Sequence, residues 1–356
     1  MQISQVCVRQ AKIPLLEPYR VSLMTMRMFD PFIVQVSDGE GNYGFGETLI
    51  VPGYTAETVE GSWKLCNALA MQVVGMSAAD AKHLLSARVS EGAGAVSALL
   101  SAVEMLMGHP TLHSPTDVRI PLLAPLNAHE PVAMAEEIKR LLEQGFRTLK
   151  VKVGFDWEDD LERVQQVQDC LRGRATIRLD ANQGYDVEDG KAFAQRLDPS
   201  GIELFEQPCH MDDWAANAAV AEVSAVPVML DESIYDASDI ARAAGMKGVG
   251  FVKLKLKKIG GLDMLANALL RIRDVGMTPV LGDGVSLEIG CWMEACVATQ
   301  CIDNAGEMNG FLKASSRLFE TPLPFERGEI RIPAGFRPRL DESVLARHTL
   351  RKMDYP

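Results

Sequence analysis

Five charged residues recur along the chain at a nearly constant interval. Lys152, Asp180, Glu206, Asp231 and Lys255 follow one another at 28, 26, 25 and 24 residues. Each stands at or near the end of a short apolar run: TLKVKVG (148–154), IRLDANQG (177–184), ELFEQP (203–208), VMLDES (228–233) and FVKLKLKKIGG (251–261). One strand-end acid is an ordinary salt-bridged surface group, and one strand-end lysine an ordinary solvated charge. Three acids brought to one place repel each other unless a cation sits among them. Oxygen-only ligands with positions left for water and substrate suit Mg²⁺. A lysine beside such a cation gives up its proton more readily and becomes a base. The chemistry implied is removal of a proton α to a carboxylate, with the cation stabilising the enediolate that forms.

A strand, a helix and two short loops consume about 25 residues, so the interval reads as a repeated βα unit. Repeated βα units close into a barrel whose active residues lie at strand C-termini. Side chains alternate along a strand, so Lys150 faces the same way as Lys152, Lys253 as Lys255, and Asp180 as Asn182. Strands two and six lie on opposite sides of an eight-stranded barrel, and strands three to five fill the arc between. Strand one is expected over 119–127, strand seven over 277–283 and strand eight over 304–310, with helices at 131–144 and 288–300. Ahead of these, residues 2–14 and 31–37 alternate like strands. DGEGNYG (38–44) marks a turn, and helices are predicted from an N-cap at Thr55 to Val74, over 77–89 and over 93–107. The expected fold is α/β, a modified (β/α)8 TIM-type barrel over 117–321. An α+β capping domain covers 1–116 and is completed by 322–356.

The net charge of −12, with no Lys/Arg block, argues against a nucleic-acid partner. No 18-residue uncharged apolar run is present and residues 1–16 lack a signal-peptide pattern, so the expectation is a cytoplasmic protein with no membrane partner. Its seven cysteines are expected to be reduced. Cys291, Cys296 and Cys301 read as buried thiols on a helix, because five-residue steps do not keep ligands on one helical face.

K150-V-K152, D180-A-N182, F-E206-Q-P, D231-E232-S and K255-LKKIGG together resemble the muconate lactonizing enzyme subgroup of the enolase superfamily (mandelate racemase/muconate lactonizing enzyme-like proteins). The resemblance implies that Asp180, Glu206 and Asp231 ligate Mg²⁺. Lys152 and Lys255 are then the acid/base pair on opposite faces of the substrate, and Lys150 lowers the pKa of Lys152. It also implies a cap closing through EPYRVS (17–22) and IVPGYTAET (50–58), so that Arg20 and Tyr54 touch substrate. The partners expected are a small carboxylate substrate and further copies of the chain in a homo-oligomer. Two stretches depart from the pattern: GAVSALLSAVEMLMGHP lacks the Gly-Lys and Leu-Gly-Gly segment before the barrel, and strand seven ends in GDGV.

Asp283 and Glu307 end strands seven and eight and add two acids to the same mouth. If they are uncompensated, they favour a substrate with an ammonium beside its carboxylate. The expected reaction is therefore racemisation, epimerisation or dehydration of a small proline-like amino acid. The alternatives are a muconate-type cycloisomerase and a dipeptide or N-acyl amino acid epimerase. Asp283 has a second reading, as the partner of a nearby Lys or Arg or as a cap near Ser286. A non-catalytic sensor barrel predicts the loss of some catalytic position, yet all six are present. A phosphate-binding barrel wants a Gly-rich loop that LGDGVS is too acidic to be.

Overall fold

The computed structural model describes residues 1–21 and 24–356, without the side chains of Arg20 and Val21. Its first part is an antiparallel sheet built from β1 (Gln5–Ala11), β4 (Phe32–Ser37) and β5 (Tyr43–Thr48). Between β1 and β4 a hairpin, β2 (Ile13–Val21) with β3 (Met24–Phe29), stands apart from that sheet. The sequence reading missed this hairpin. Helices α1 (Val59–Val73), α2 (Ala78–Ser86) and α3 (Ala93–Leu106) cover the sheet. The N-cap of α1 is Thr58, whose side chain accepts from Gly61 N, and not Thr55. α3 lies directly on β5 because β5 carries Gly44 and Gly46. A Cβ on either would come within 2.0 and 2.2 Å of the Ala102 and Ala98 carbonyls.

The expected first barrel strand splits in two. β6 (Val118–Pro121) pairs antiparallel with β15 (Glu329–Ile332), which in turn pairs with β14 (Phe325–Glu326). Only β7 (Ala124–Leu126) joins the barrel sheet. From there strands and helices alternate: α4 (Pro131–Glu143), β8 (Thr148–Lys152), α5 (Trp157–Leu171), β9 (Thr176–Asp180), α6 (Val187–Arg196), β10 (Ile202–Glu206) and α7 (Trp214–Val223). The series continues with β11 (Val228–Leu230), α8 (Ala237–Ala244), β12 (Val249–Leu254), a single turn α9 (Leu256–Ile259), α10 (Leu262–Asp274), β13 (Thr278–Leu281) and α11 (Glu288–Cys301). β7 to β13 form one parallel sheet of seven strands in sequence order.

Residues 304–310 do not form the eighth strand. They close the barrel through single backbone bonds instead: Leu123 N to Gly306 O, Gly306 N to Pro121 O and Glu307 N to Leu281 O, each 2.9 Å. The segment comes so close to β13 that a Cβ on Gly282 would lie 2.6 Å from Met308 N. That proximity, with φ of +134° at Gly282, leaves room for glycine alone. α12 (Glu342–His348) and β16 (Thr349–Tyr355) follow, and β16 pairs antiparallel with β1.

Two carboxylates from the first part cap helices of the barrel. Gly261 and Leu287 open α10 and α11 without a capping side chain. Glu104 on α3 accepts from Leu262 N at 2.6 Å, and Glu47 on β5 accepts from Leu287 N and from Ile289 N at 3.1 Å. Each meets helix N–H groups that have no partner within their own helix. Cys291, Cys296 and Cys301 are buried free thiols on α11. No helix among the described residues is long and apolar enough to cross a membrane.

Candidate active site

Strand register assembles the site. β8 pairs with β9 so that Lys152 stands opposite Asp180, and β9 pairs with β10 so that Asp180 stands opposite Glu206. Asp231 follows the last residue of β11 and Lys255 the last of β12. The recurring interval in the sequence is thus a row of side chains along one rim of the barrel. Behind the rim, residues in the left-handed region turn the chain: Asn182, Gln183 and Gln207, with φ of 42°, 69° and 39°. Such backbone costs energy and is retained where neighbours over-determine it. The neighbours of Gln207 do so. Its Oε1 accepts from Asp231 N and Ser233 N at 3.0 and 3.2 Å, while its Nε2 donates to Ser233 Oγ and Cys209 O.

The acids and lysines interleave. Lys150 Nζ lies 2.7 Å from Asp180, 2.9 Å from Glu206 and 3.0 Å from Glu307. Lys253 Nζ lies 3.1 Å from Glu206 and 3.4 Å from Asp231, and also bonds Glu307. At the two ends of the row, Lys152 Nζ meets Asp180 Oδ2 and Lys255 Nζ meets Asp231 Oδ2, both at 2.6 Å. Tyr54 reaches in from the loop after β5. Its hydroxyl donates to Asp231 Oδ1 at 2.9 Å and accepts from Lys255. Sequence reasoning left Lys253 and Lys258 without roles, although both stand in the quoted FVKLKLKKIGG run. Lys258 Nζ bonds the Asp231 carbonyl at 2.7 Å and lies 4.6 Å from the Tyr235 ring. Tyr19, beside the singled-out Arg20, lines the pocket as well. The Arg20 side chain itself lies outside the described residues.

Burial and charge oppose each other at these groups. Burial alone raises the pKa of a carboxyl, but Lys150 and Lys152 hold Asp180 down at about 2. Lys255 and Lys253 likewise outweigh burial and hold Asp231 well below its ordinary value. Glu206, for which burial and Asp180 outweigh the lysines, is raised. Without a cation, Lys150 and Lys255 are not depressed. Burial disfavours their charge, yet Asp180 and Asp231 respectively keep both above the usual lysine range. Lys258 is the lysine that burial does lower, to about 8.

The donor set fits a hard divalent cation. Three carboxylates share one rim, and Glu232 Oε2, next to Asp231, is a buried oxygen with no partner among the described residues. Lysine nitrogens interleave with the three acids. The described group whose ligand atoms all lie within 4.8 Å of one another is a different one, Glu104, His109 and Asp263. There Lys82 already supplies the positive charge, 3.0 Å from Glu104 and 2.5 Å from Asp263.

The two further acids are compensated. Lys257 Nζ lies 2.7 Å from Asp283, which also accepts from Ser286 Oγ at 3.0 Å and Val285 N at 3.2 Å. The second reading of Asp283, a nearby lysine and a local cap, is the one observed. Glu307 is taken by Lys150 and Lys253. The basis for a proline-like substrate is therefore removed: neither acid is unpaired.

Comparison with known proteins places the chain. The family described as Enolase C-terminal domain-like matches residues 133–338, more than half of the sequence. This chain belongs to the enolase superfamily. It is 31% identical over 372 residues to an L-Lys-D/L-Arg epimerase of Methylococcus capsulatus, covering 91% of this chain and 98% of that protein. It is 30% identical over 305 residues to a hydrophobic dipeptide epimerase of Enterococcus faecalis, covering 83% of each. Among solved structures, a dipeptide epimerase from Cytophaga hutchinsonii, complexed with Mg and the dipeptide D-Ala-L-Val, superposes over 100% of both chains with a TM-score of 0.90 at 23% identity. Muconate lactonizing enzyme from Pseudomonas fluorescens gives 0.88 at 21% identity, over 98% of this chain and 99% of that one. These structural likenesses are likenesses of fold. This member of the superfamily is an enzyme of the isomerase kind, and its curated relatives are dipeptide epimerases, not proline-like amino acid racemases.

Proposed function

We propose that the protein is a Mg²⁺-dependent epimerase acting on the carboxylate-bearing residue of a dipeptide or N-acyl amino acid. The observation that carries this reading is the symmetry of the row: one lysine, Lys152, is tied to Asp180 at one end and another, Lys255, to Asp231 at the other, each at 2.6 Å. Epimerisation needs a proton removed from one face of a carbon and returned to the other, so it needs two such groups on opposite sides. In this reading Asp180, Glu206 and Asp231 hold Mg²⁺, which supplies Lewis-acid stabilisation to the substrate carboxylate as charge accumulates on it. Lys152 in its neutral form takes the α-proton from one enantiomer, and Lys255 in its charged form delivers a proton to the opposite face. The roles reverse for the other enantiomer. Lys150 and Lys253, both buried, stand between the acids of the row and keep Glu307 ionised. Tyr54 closes the site over Lys255 and Asp231.

The test is α-proton exchange in D₂O, followed by NMR over a panel of dipeptides and N-acyl amino acids with MgCl₂. Lys152→Ala and Lys255→Ala should each abolish epimerisation, and each should lose exchange preferentially from one enantiomer. EDTA should abolish exchange from both. Exchange undiminished in metal-analysed, chelated enzyme would sink the proposal.

A further inference from the structure

Two cavities meet at the junction of the cap and the barrel. The inner one, about 80 Å³, holds the lysines and acids of the candidate site and is walled by Tyr19, Val51, Tyr54 and the 283–285 turn. The outer one, about 740 Å³, lies under the loop 48–58 and the start of α3. Val51, Tyr54 and Lys257 line both and form the partition between them.

A dipeptide brings an ammonium into the inner cavity together with its amide, and an ammonium taken out of water needs an anionic partner. Among the described residues, no carboxylate on the inner wall is free to serve. Every one of the five at this site, Asp283 and Glu307 included, has a lysine nitrogen within 3.0 Å. Five lysines line the cavity against four acids, Asp180, Asp231, Asp283 and Glu307, and a divalent cation would tilt the balance further towards positive. Glu232 is 1% exposed and does not line the cavity. The residues whose side chains or structure lie outside the description are Arg-Val-Ser-Leu (20–23) and bring no acid. Glu17, the acid of the β2–β3 hairpin, is exposed to solvent, where screening leaves it little hold on a charge. The acids of the outer cavity stand beyond the partition and are engaged there: Glu57 accepts from Gly94 N and Ser62 Oγ, each at 3.1 Å, Glu91 pairs with Arg88, and Asp236 caps α8. Lys313, by contrast, bonds neutral acceptors among the described residues: the Gly284 carbonyl at 2.7 Å and Asn309 Oδ1 at 2.6 Å.

We propose that the physiological substrate carries no ammonium on its amine side, and that the site selects N-acyl amino acids over dipeptides with a free N-terminus. The inference rests on the α-epimerisation just proposed and narrows its substrate class. An acyl amide offers the same carboxylate, α-proton and amide as a dipeptide while bringing no charge that the wall cannot meet.

The test uses isosteric pairs. An N-propionyl amino acid differs from the matching alanyl dipeptide only in having hydrogen where the dipeptide has its ammonium. The panel pairs the two forms for Ala, Leu, Phe, Glu, Lys and Arg, with Mg²⁺ present. kcat/KM for exchange should favour the propionyl member by about tenfold or more, the size expected when a buried charge goes unpaired. A second readout is binding of each pair to Mg²⁺-loaded Lys152→Ala by calorimetry, which should show the same preference with no turnover. Equal or better use of the alanyl member, in kinetics or in binding, overturns the inference while leaving the epimerase reading intact. Absence of exchange from every member overturns the epimerase reading, and the binding arm then still decides the charge preference.

Discussion

Glu294 on α11 is 1% exposed, and it joins the ends of two barrel strands. Its Oε1 accepts from Leu256 N at 2.8 Å and its Oε2 from Asp283 N at 3.1 Å. Leu256 directly follows Lys255, so this carboxylate fixes the main chain from which Lys255 projects. Glu294→Gln keeps an oxygen for one N–H and turns an NH₂ towards the other. A buried donor left without an acceptor costs about 1–3 kcal/mol. Glu294→Leu abandons both, and the expected loss doubles to about 2–6 kcal/mol. Urea denaturation of the three proteins measures these differences. The functional effect is directional. A shift of about 1 Å at a reacting group costs about 10²-fold, and the group displaced here is Lys255, on the far side of the barrel from Lys152. Exchange in D₂O should therefore slow for the enantiomer that Lys255 deprotonates and hold for the other. A Gln variant as stable as the parent, or one that slows both enantiomers equally, would show that Glu294 is ordinary core and refute the reasoning.

Lys253→Met removes a buried ammonium from among Glu206, Asp231 and Glu307, and should cost about 3–5 kcal/mol because it strands those charges. Mg²⁺ should raise the Tm of this variant more than that of the parent, a comparison that differential scanning fluorimetry makes directly. Glu47 is raised to about 7, chiefly by burial, so the folded state binds its proton more tightly than the unfolded state does. That contribution to stability is complete below pH ~4.5 and is lost as pH rises through about 7. Tm measured from pH 5 to 8 should fall less in Glu47→Gln than in the parent. Asp180 works in the opposite sense: held at about 2, it contributes above its ordinary value and stops contributing as acid brings the pH down to about 2. Glu104→Ala should destabilise by about 1–3 kcal/mol, since it uncaps α10 and takes one of the two carboxylates from Lys82. An unchanged urea midpoint would count against the capping role.

The row of acids and lysines was legible because parallel βα units turn a spatial rim into a sequence interval, and strand alternation assigns the face. The segment at 304–310 was misread because its Gly306 and Glu307 look like a strand end, while three backbone bonds suffice to close the barrel there. The split of the first strand depends on β15, some two hundred residues away, which no local pattern announces. The pairing of Asp283 with a nearby lysine was one of its two readings, and Lys257 is that lysine. Each residue follows the end of its strand, and β12 and β13 pair directly, Leu254 opposite Leu281, which brings the two turns together. The caps offered by Glu47 and Glu104 leave no local signature, because donor and acceptor belong to different parts of the chain.

The pairing of β1 with β16 has a consequence for how the molecule is made. Val6 lies opposite Tyr355 and Arg9 opposite Lys352, so one edge of β1 stays bare until β16, which follows every barrel strand, is synthesised. The barrel strands emerge in the order in which they pair, and each finds its neighbour at once. The sheet that holds β5 and supports the Tyr54 loop is begun before the barrel and completed after it. A nascent chain halted before residue 349 would thus carry an assembled barrel beneath a cap with an open edge, and such an edge is the part of a β-sheet most prone to join a neighbouring chain.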